Sequence, residues 1–140
     1  MGREEYKRQH LEFIQGAINR MASNSFQIKG FTVAVVAILG SLYTANREYF
    51  CILSALLATI LFALIDAYYL QLERKYRQLY DESVEMMDND SLSLKEIYNM
   101  DVSEIKKSYC KALFSRSLCV PYLPILLLIL IGCLASCHCL

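Results

Sequence analysis

Charge is scarce in this sequence, and so are the residue patterns that enzymes use. Asp, Glu, Lys and Arg make up only 20% of its 140 residues, against 56% hydrophobic, a balance too apolar for an ordinary soluble domain of this length. There is no Gly-rich phosphate loop, no GxSxG elbow and no HExxH, so the usual signatures of nucleotide binding, serine-nucleophile and zinc-hydrolase chemistry are missing. The two histidines, His10 and His138, stand near opposite ends of the chain, and Cys110 has neither a nearby histidine nor an activating pattern. Asp88 and Asp90 read as a hydrophilic turn, with divalent-ion binding as the alternative. The expectation is a protein that is not an enzyme and has no cofactor and no resident metal. Basic residues are also unevenly absent: of 14 Lys and Arg, only Arg47 lies between residues 46 and 49.

What the sequence has instead is long uncharged runs. Three stand out, Gly30 to Asn46, Tyr49 to Ile65 and Ser117 to Leu140. The first two reach about 20 residues once their flanks are placed at headgroup level, and the third needs no help to cross a bilayer. The first is not a removable signal peptide by this reading, because 26 mostly polar or amphipathic residues precede it and a second apolar run follows at once. Five basic residues precede the first run and eight fall between the second and third, which places the N-terminus and residues 71–116 in the cytoplasm. The turn at 46–48 and the C-terminal tail then lie outside, in a multi-pass protein of the bacterial inner membrane. None of the six cysteines implies a secreted disulfide scaffold in this topology.

The expected fold is all-α, an integral membrane protein with three transmembrane helices, an N-terminal amphipathic helix and a cytoplasmic helical insert. Its segments are 1–26, the amphipathic helix; 27–70, a transmembrane hairpin; 71–116, the cytoplasmic region; and 117–140, the third span. Residues 4–22 place Leu11, Ile14, Ala17, Ile18 and Met21 on one side, suited either to the inner membrane surface or to packing on residues 71–116. Ser23 to Ser25 then interrupts the helix.

In the second run Ala55, Thr59, Ala63 and Ala67 recur every four residues, a ridge where another helix could approach closely. The partner is either span one or a second copy. Asp66 sits beside this ridge and is a candidate for pairing with Lys29 or Arg74, for a pore or subunit contact, or for ion coupling. Tyr68 and Tyr69 mark the headgroup level, and Lys29, Tyr68, Tyr69, Arg74, Lys75 and Arg77 are the candidates for headgroup contact. The helix continues toward Met87, because Leu70 to Met87 lacks Gly and Pro and keeps apolar residues at helical spacing. Acidic Glu73, Asp81, Glu82 and Glu85 dilute the basic patch, so direct nucleic-acid binding is not expected.

Asp88 to Ser91 ends that helix. Ser93 with Glu96, and Asp101 with Glu104, match the capping-box spacing, which predicts a short helix from Leu94 and a longer one from Val102 to about Arg116. In the third run Pro121 suits a helix start, with Pro124 in the first turn or at a kink. The tail residues Cys133, Cys137, His138 and Cys139 lack the spacing of a structural zinc site, and the last four residues do not form a true prenylation signal.

Together LEFIQGAINRMASNSFQIKGF, FALIDAYYLQLERKYRQLYD and YLPILLLILI resemble a family of small bacterial multi-pass membrane proteins that carries no assigned catalytic residues. The resemblance implies an N-terminal helix, a two-span hairpin, a helical cytoplasmic insert and a last span. The layout is also similar to that of membrane effectors in anti-phage defence modules. The expected function is therefore an effector that oligomerises and perturbs or permeabilises the membrane on a signal from a cytoplasmic protein partner. The alternative is a non-conducting adaptor or scaffold that anchors such a partner.

Overall fold

The computed structural model describes residues 3–85 and 98–138. Four helices account for most of them: α1 (Arg3–Asn46), α2 (Tyr49–Glu85), the short α3 (Tyr109–Leu113) and α4 (Arg116–His138). No strand occurs among the described residues. Three helices, α1, α2 and α4, are long and apolar enough to cross a membrane. The expected short helix from Leu94 with its Ser93–Glu96 cap, the Asp88 to Ser91 turn, the side chains of Cys137 and His138, and Cys139 all lie outside the described residues.

The largest departure from expectation is that α1 does not break. Its 44 residues run through Ser23 to Ser25 without interruption. Serine weakens a helix when its hydroxyl competes for nearby backbone groups. Here the serines have other partners. Ser23 accepts from Gln27 Nε2 at 3.2 Å, and Ser25 is bonded to Lys29 and to Asp66 of α2. The segment boundaries expected at 26/27 and 70/71 therefore fall inside continuous helices. At about 1.5 Å per residue α1 is roughly 66 Å long and α2 roughly 55 Å, both well beyond a hydrocarbon core of about 30 Å.

The two long helices pair as an antiparallel hairpin closed by Arg47 and Glu48. Arg47 adopts a positive φ of 56°, and its N–H donates to Tyr43 O at 2.8 Å, so this residue takes the left-handed position that ends many helices. Along α1 the buried residues Lys7, His10, Ile14, Ala17, Ile18, Ser25 and Thr32 follow spacings of three and four or their multiples, which keeps them on one face. Facing them on α2 are Ala55, Thr59 and Asp66, and further along Leu79. The amphipathic face of residues 4–22 is thus turned toward the 71–116 region: Ile14, Ile18, Leu79 and Ile105 form one apolar cluster, with Tyr76, Tyr80, Met100 and Val102 against it. Burial of each of these four aliphatic side chains contributes roughly 1.5–3 kcal/mol.

The helix expected from Val102 to about Arg116 forms only in its second half, as α3, and not over 102–108. Asp101 Oδ1 accepts from Ser103 N at 2.8 Å and Asn99 Oδ1 from Asp101 N at 3.0 Å, local turns that compete with a capping box to Glu104. Residues 99–107 instead run as a non-helical strap that delivers Ile105 to the cluster and is fastened by Gln71 Nε2 donating to Lys107 O at 2.6 Å. Helix starts only at α3, where the Ser108 side chain accepts from Lys111 N. The turn after α3 leads straight into α4, whose first bonds run from Leu118 N and Cys119 N to Ser115 O. Because α4 begins at Arg116, Pro121 lies in its second turn rather than at its start, and Pro124 lies about a turn further on. A second cluster, Ala67, Leu70, Ala112, Leu118 and Tyr122, joins α2, α3 and α4.

Candidate functional site: a buried ion pair in the hairpin seam

The aspartate that directly follows the apolar run of α2 is fully enclosed. Asp66 is 0% exposed, and it meets two side chains of α1 that helical spacing puts on one face, Ser25 and Lys29. Lys29 Nζ lies 2.6 Å from Asp66 Oδ2, close enough for an ion pair but without an aligned hydrogen bond, while Ser25 Oγ donates to Asp66 Oδ1. Lys29 Nζ also donates to Ser25 Oγ at 2.7 Å, which closes a three-membered network across the helices. The Lys29 side chain is 21% exposed, so the lysine side of the pair is not sealed from its surroundings.

Three further polar side chains are buried along the packed helices. Thr32 Oγ1 donates to Ile28 O at 2.8 Å and Thr59 Oγ1 to Ala55 O at 2.7 Å, so each hydroxyl proton is spent on its own helix. Both residues are almost completely buried. From α4, Tyr122 turns its hydroxyl toward Thr32 and Asp66 without closing an aligned hydrogen bond to either. At this level the seam thus pairs one positive with one negative group, compensated within a single chain. A buried carboxylate left without its cation is costly, which makes the pair a position-specific fastener rather than a general source of stability.

The ridge residues do not all face the same way. Ala55 and Thr59 are buried in the hairpin, whereas Ala67 packs with Ala112, Leu118 and Tyr122, and partly buried Ala63 lies against that same cluster. A four-residue step turns about 40° past a full helical turn, so the sequence from 55 to 67 sweeps from the α1 side toward α4. Asp66, eleven residues after Ala55, returns to within about 20° of it and therefore faces α1.

The headgroup candidates also divide. Lys29 is drawn into the seam, Arg77 Nη2 pairs with Glu73 at 2.7 Å, and Arg74 Nη1 donates to Lys111 O at 3.2 Å. Tyr68 is exposed and stacks edge-on with half-buried Tyr69, ring centroids 5.8 Å apart. Lys75 makes no ion pair among the described residues. Of the alternatives open to Asp66, the partner is Lys29 and not Arg74. Ser25, Thr32 and Tyr122 were not anticipated, although Ser25, Lys29 and Thr32 at i, i+4 and i+7 form a legible polar stripe.

At the far end of the hairpin His10, Glu82, Ser83, Asp101 and Glu104 line a cavity of about 320 Å³. Burial pushes the His10 imidazole below its ordinary value, and its Nδ1 has no hydrogen-bond partner. The Ser103 backbone N–H holds the exposed Asp101 carboxyl below the usual carboxylate range. No group of three or more metal-ligating side chains is assembled among the described residues. Comparison with family models, with curated proteins and with solved structures finds no match to this chain.

Proposed function

We propose that this chain is a multi-pass membrane effector of the bacterial inner membrane, held quiet by the Lys29–Asp66 pair and opened by a cytoplasmic partner, with anti-phage defence as its setting. Self-association and membrane permeabilisation follow opening in this reading. The observation that carries it is the unbroken course of α1 and α2 from the cluster of Ile14, Ile18, Leu79 and Ile105 to the ion pair. Ile14 and Lys29 are separated by 15 residues of one helix, about 22 Å, and Leu79 and Asp66 by 13, about 20 Å. A partner that shifts Ile105 and its neighbours therefore moves two stiff levers whose other ends hold the pair. Separation of the pair leaves a carboxylate that a second copy or water must satisfy.

The most apolar windows supply the surface for assembly. Only 6% of that window in α1, 22% in α2 and 11% in α4 is buried within the chain, so most of it is left for lipid or another protein. The test is a membrane-potential dye in cells expressing the parent, Lys29→Met and Lys29→Met/Asp66→Asn at matched membrane levels. Lys29→Met depolarises more than the parent, and the double variant returns to the parent's level. An unchanged potential in Lys29→Met removes the latch from the reading.

A non-conducting adaptor is the second reading, and one observation favours it: Ala55 and Thr59, the start of the ridge, are already consumed within one chain. Stable co-purification of a soluble partner, with the potential intact in every variant, selects the adaptor.

A further inference from the structure

The corner where α3 meets α4 combines features that the ion pair does not use. Tyr109 Oη donates to Leu64 O at 2.8 Å and Ala112 is 0% exposed, so α3 is pinned against α2 beside the Asp66 and Tyr68 level. Phe114 is nevertheless 78% exposed, an apolar ring held out at the depth the membrane reading assigns to headgroups. Around it stand Lys111 and Arg116, both exposed, and Arg74, whose guanidinium reaches the Lys111 carbonyl. None of the three forms an ion pair among the described residues, and the acids of α2 in this stretch are held elsewhere, Glu73 by Arg77 and Asp66 by Lys29.

From this corner a groove of about 150 Å³ descends between α2 and α4, walled by Ala63, Leu113, Phe114, Leu118, Tyr122 and Leu126. One end is lined by Leu113 and Phe114, which Lys111 and Arg116 flank in sequence, and the groove continues along the apolar stretch of α4. A helix with side chains is about 10–12 Å across and does not fit such a slot, whereas a length of a single acyl chain does. We infer that this corner is a binding site for one anionic phospholipid, its phosphate held by Lys111, Arg116 and Arg74 and one acyl chain laid in the α2–α4 groove. Charge complementarity selects the headgroup, since each basic residue near an anionic surface contributes roughly 1 kcal/mol, about five-fold in affinity. Phe114 inserts beside the glycerol backbone, and the seated lipid ties α3 to the first turns of α4.

The inference rests on the membrane reading, and the test separates the two. Membranes bearing the full chain are extracted with alkaline carbonate; the purified protein is then examined by native mass spectrometry with phosphatidylglycerol and phosphatidylcholine of identical acyl chains. The expected result is one phosphatidylglycerol retained per chain at a concentration at least ten-fold below that needed for phosphatidylcholine. Lys111→Gln/Arg116→Gln abolishes that preference, Lys106→Gln retains it, and Cys119→Phe, at a position that also lines the groove, lowers retention of both lipids. Equal retention of the two lipids, or a preference that survives the double variant, overturns the site while leaving the membrane reading intact. Release of the chain by carbonate overturns the membrane reading itself.

Discussion

Removing Lys29 and removing Asp66 have unequal consequences, because only one of them can escape when its partner is gone. The Lys29 side chain is 21% exposed on a long flexible stem, and loss of the carboxylate lets its ammonium turn outward to water or headgroups. Asp66 is 0% exposed on a short stem and stays where it is. At 2.6 Å the gross attraction is about 6 kcal/mol at an effective dielectric of 20, most of it offset by desolvation. Breaking a buried pair from one side costs roughly 3–5 kcal/mol, and the partial exposure of Lys29 argues for the lower end. Lys29→Met is therefore expected to destabilise the fold by about 3 kcal/mol, and Asp66→Asn, which keeps a group able to bond Ser25, by about 1 kcal/mol. The double variant should lie close to Asp66→Asn alone. The assay is denaturant unfolding of purified protein in one detergent, read as a double-mutant cycle. Equal losses in the two single variants, or strictly additive losses, would refute the enclosed pair.

Two further outcomes follow from the ends of the hairpin. Burial lowers the folded pKa of His10 below 6.5, so stability is full above that value and declines as the pH falls through it, because the unfolded chain takes the proton first; thermal melts at stepped pH should show that decline, and His10→Gln should flatten it. Arg47 sits at φ 56°, which costs an L-residue about 1–2 kcal/mol, partly offset in a glycine variant by greater freedom of the unfolded chain. Arg47→Gly is expected to raise stability by up to about 1 kcal/mol in the same unfolding assay, and a loss would show that the arginine makes contacts worth more than its strain.

Helices were legible wherever a long run carried one dominant signal. The apolar stretches of α1, α2 and α4 follow from composition, and the continuation of α2 past Leu70 from the absence of Gly and Pro there. Local rules failed where a distant partner outweighed them. The Ser23 to Ser25 stretch has the chemistry of a break, but Ser25 finds Asp66 across 41 positions of sequence, and a bond of that kind has no local signature. Asp101 and Glu104 have capping-box spacing, yet a capping box also requires helix beyond it, and Ile105 is worth more in the cluster with Ile14 and Leu79 than on a short free helix. The pairing of Asp66 was legible to within two candidates, while Tyr122 was hidden because nothing in the sequence fixes which face of α4 meets the hairpin.

The polar residues also limit what the hairpin can be. A seam built for stability alone would be filled with leucine and isoleucine, but this one carries Lys7, His10, Ser25, Thr32, Thr59 and Asp66 at buried positions. The contacts to Asp66 are satisfied in only one alignment of the two helices: sliding α1 by a single residue separates Lys29 from Asp66 and Ser25 from its acceptor at once. The cost of that slip is paid in unpartnered polar groups, which are expensive in a low-dielectric setting, rather than in lost apolar area, which a slip largely conserves. Such a seam has discrete states, fastened or unfastened, with little between them. That discreteness is what a signal-responsive hairpin requires, and it is why the ion pair, and not the small-residue ridge, is the feature on which the proposed effector turns.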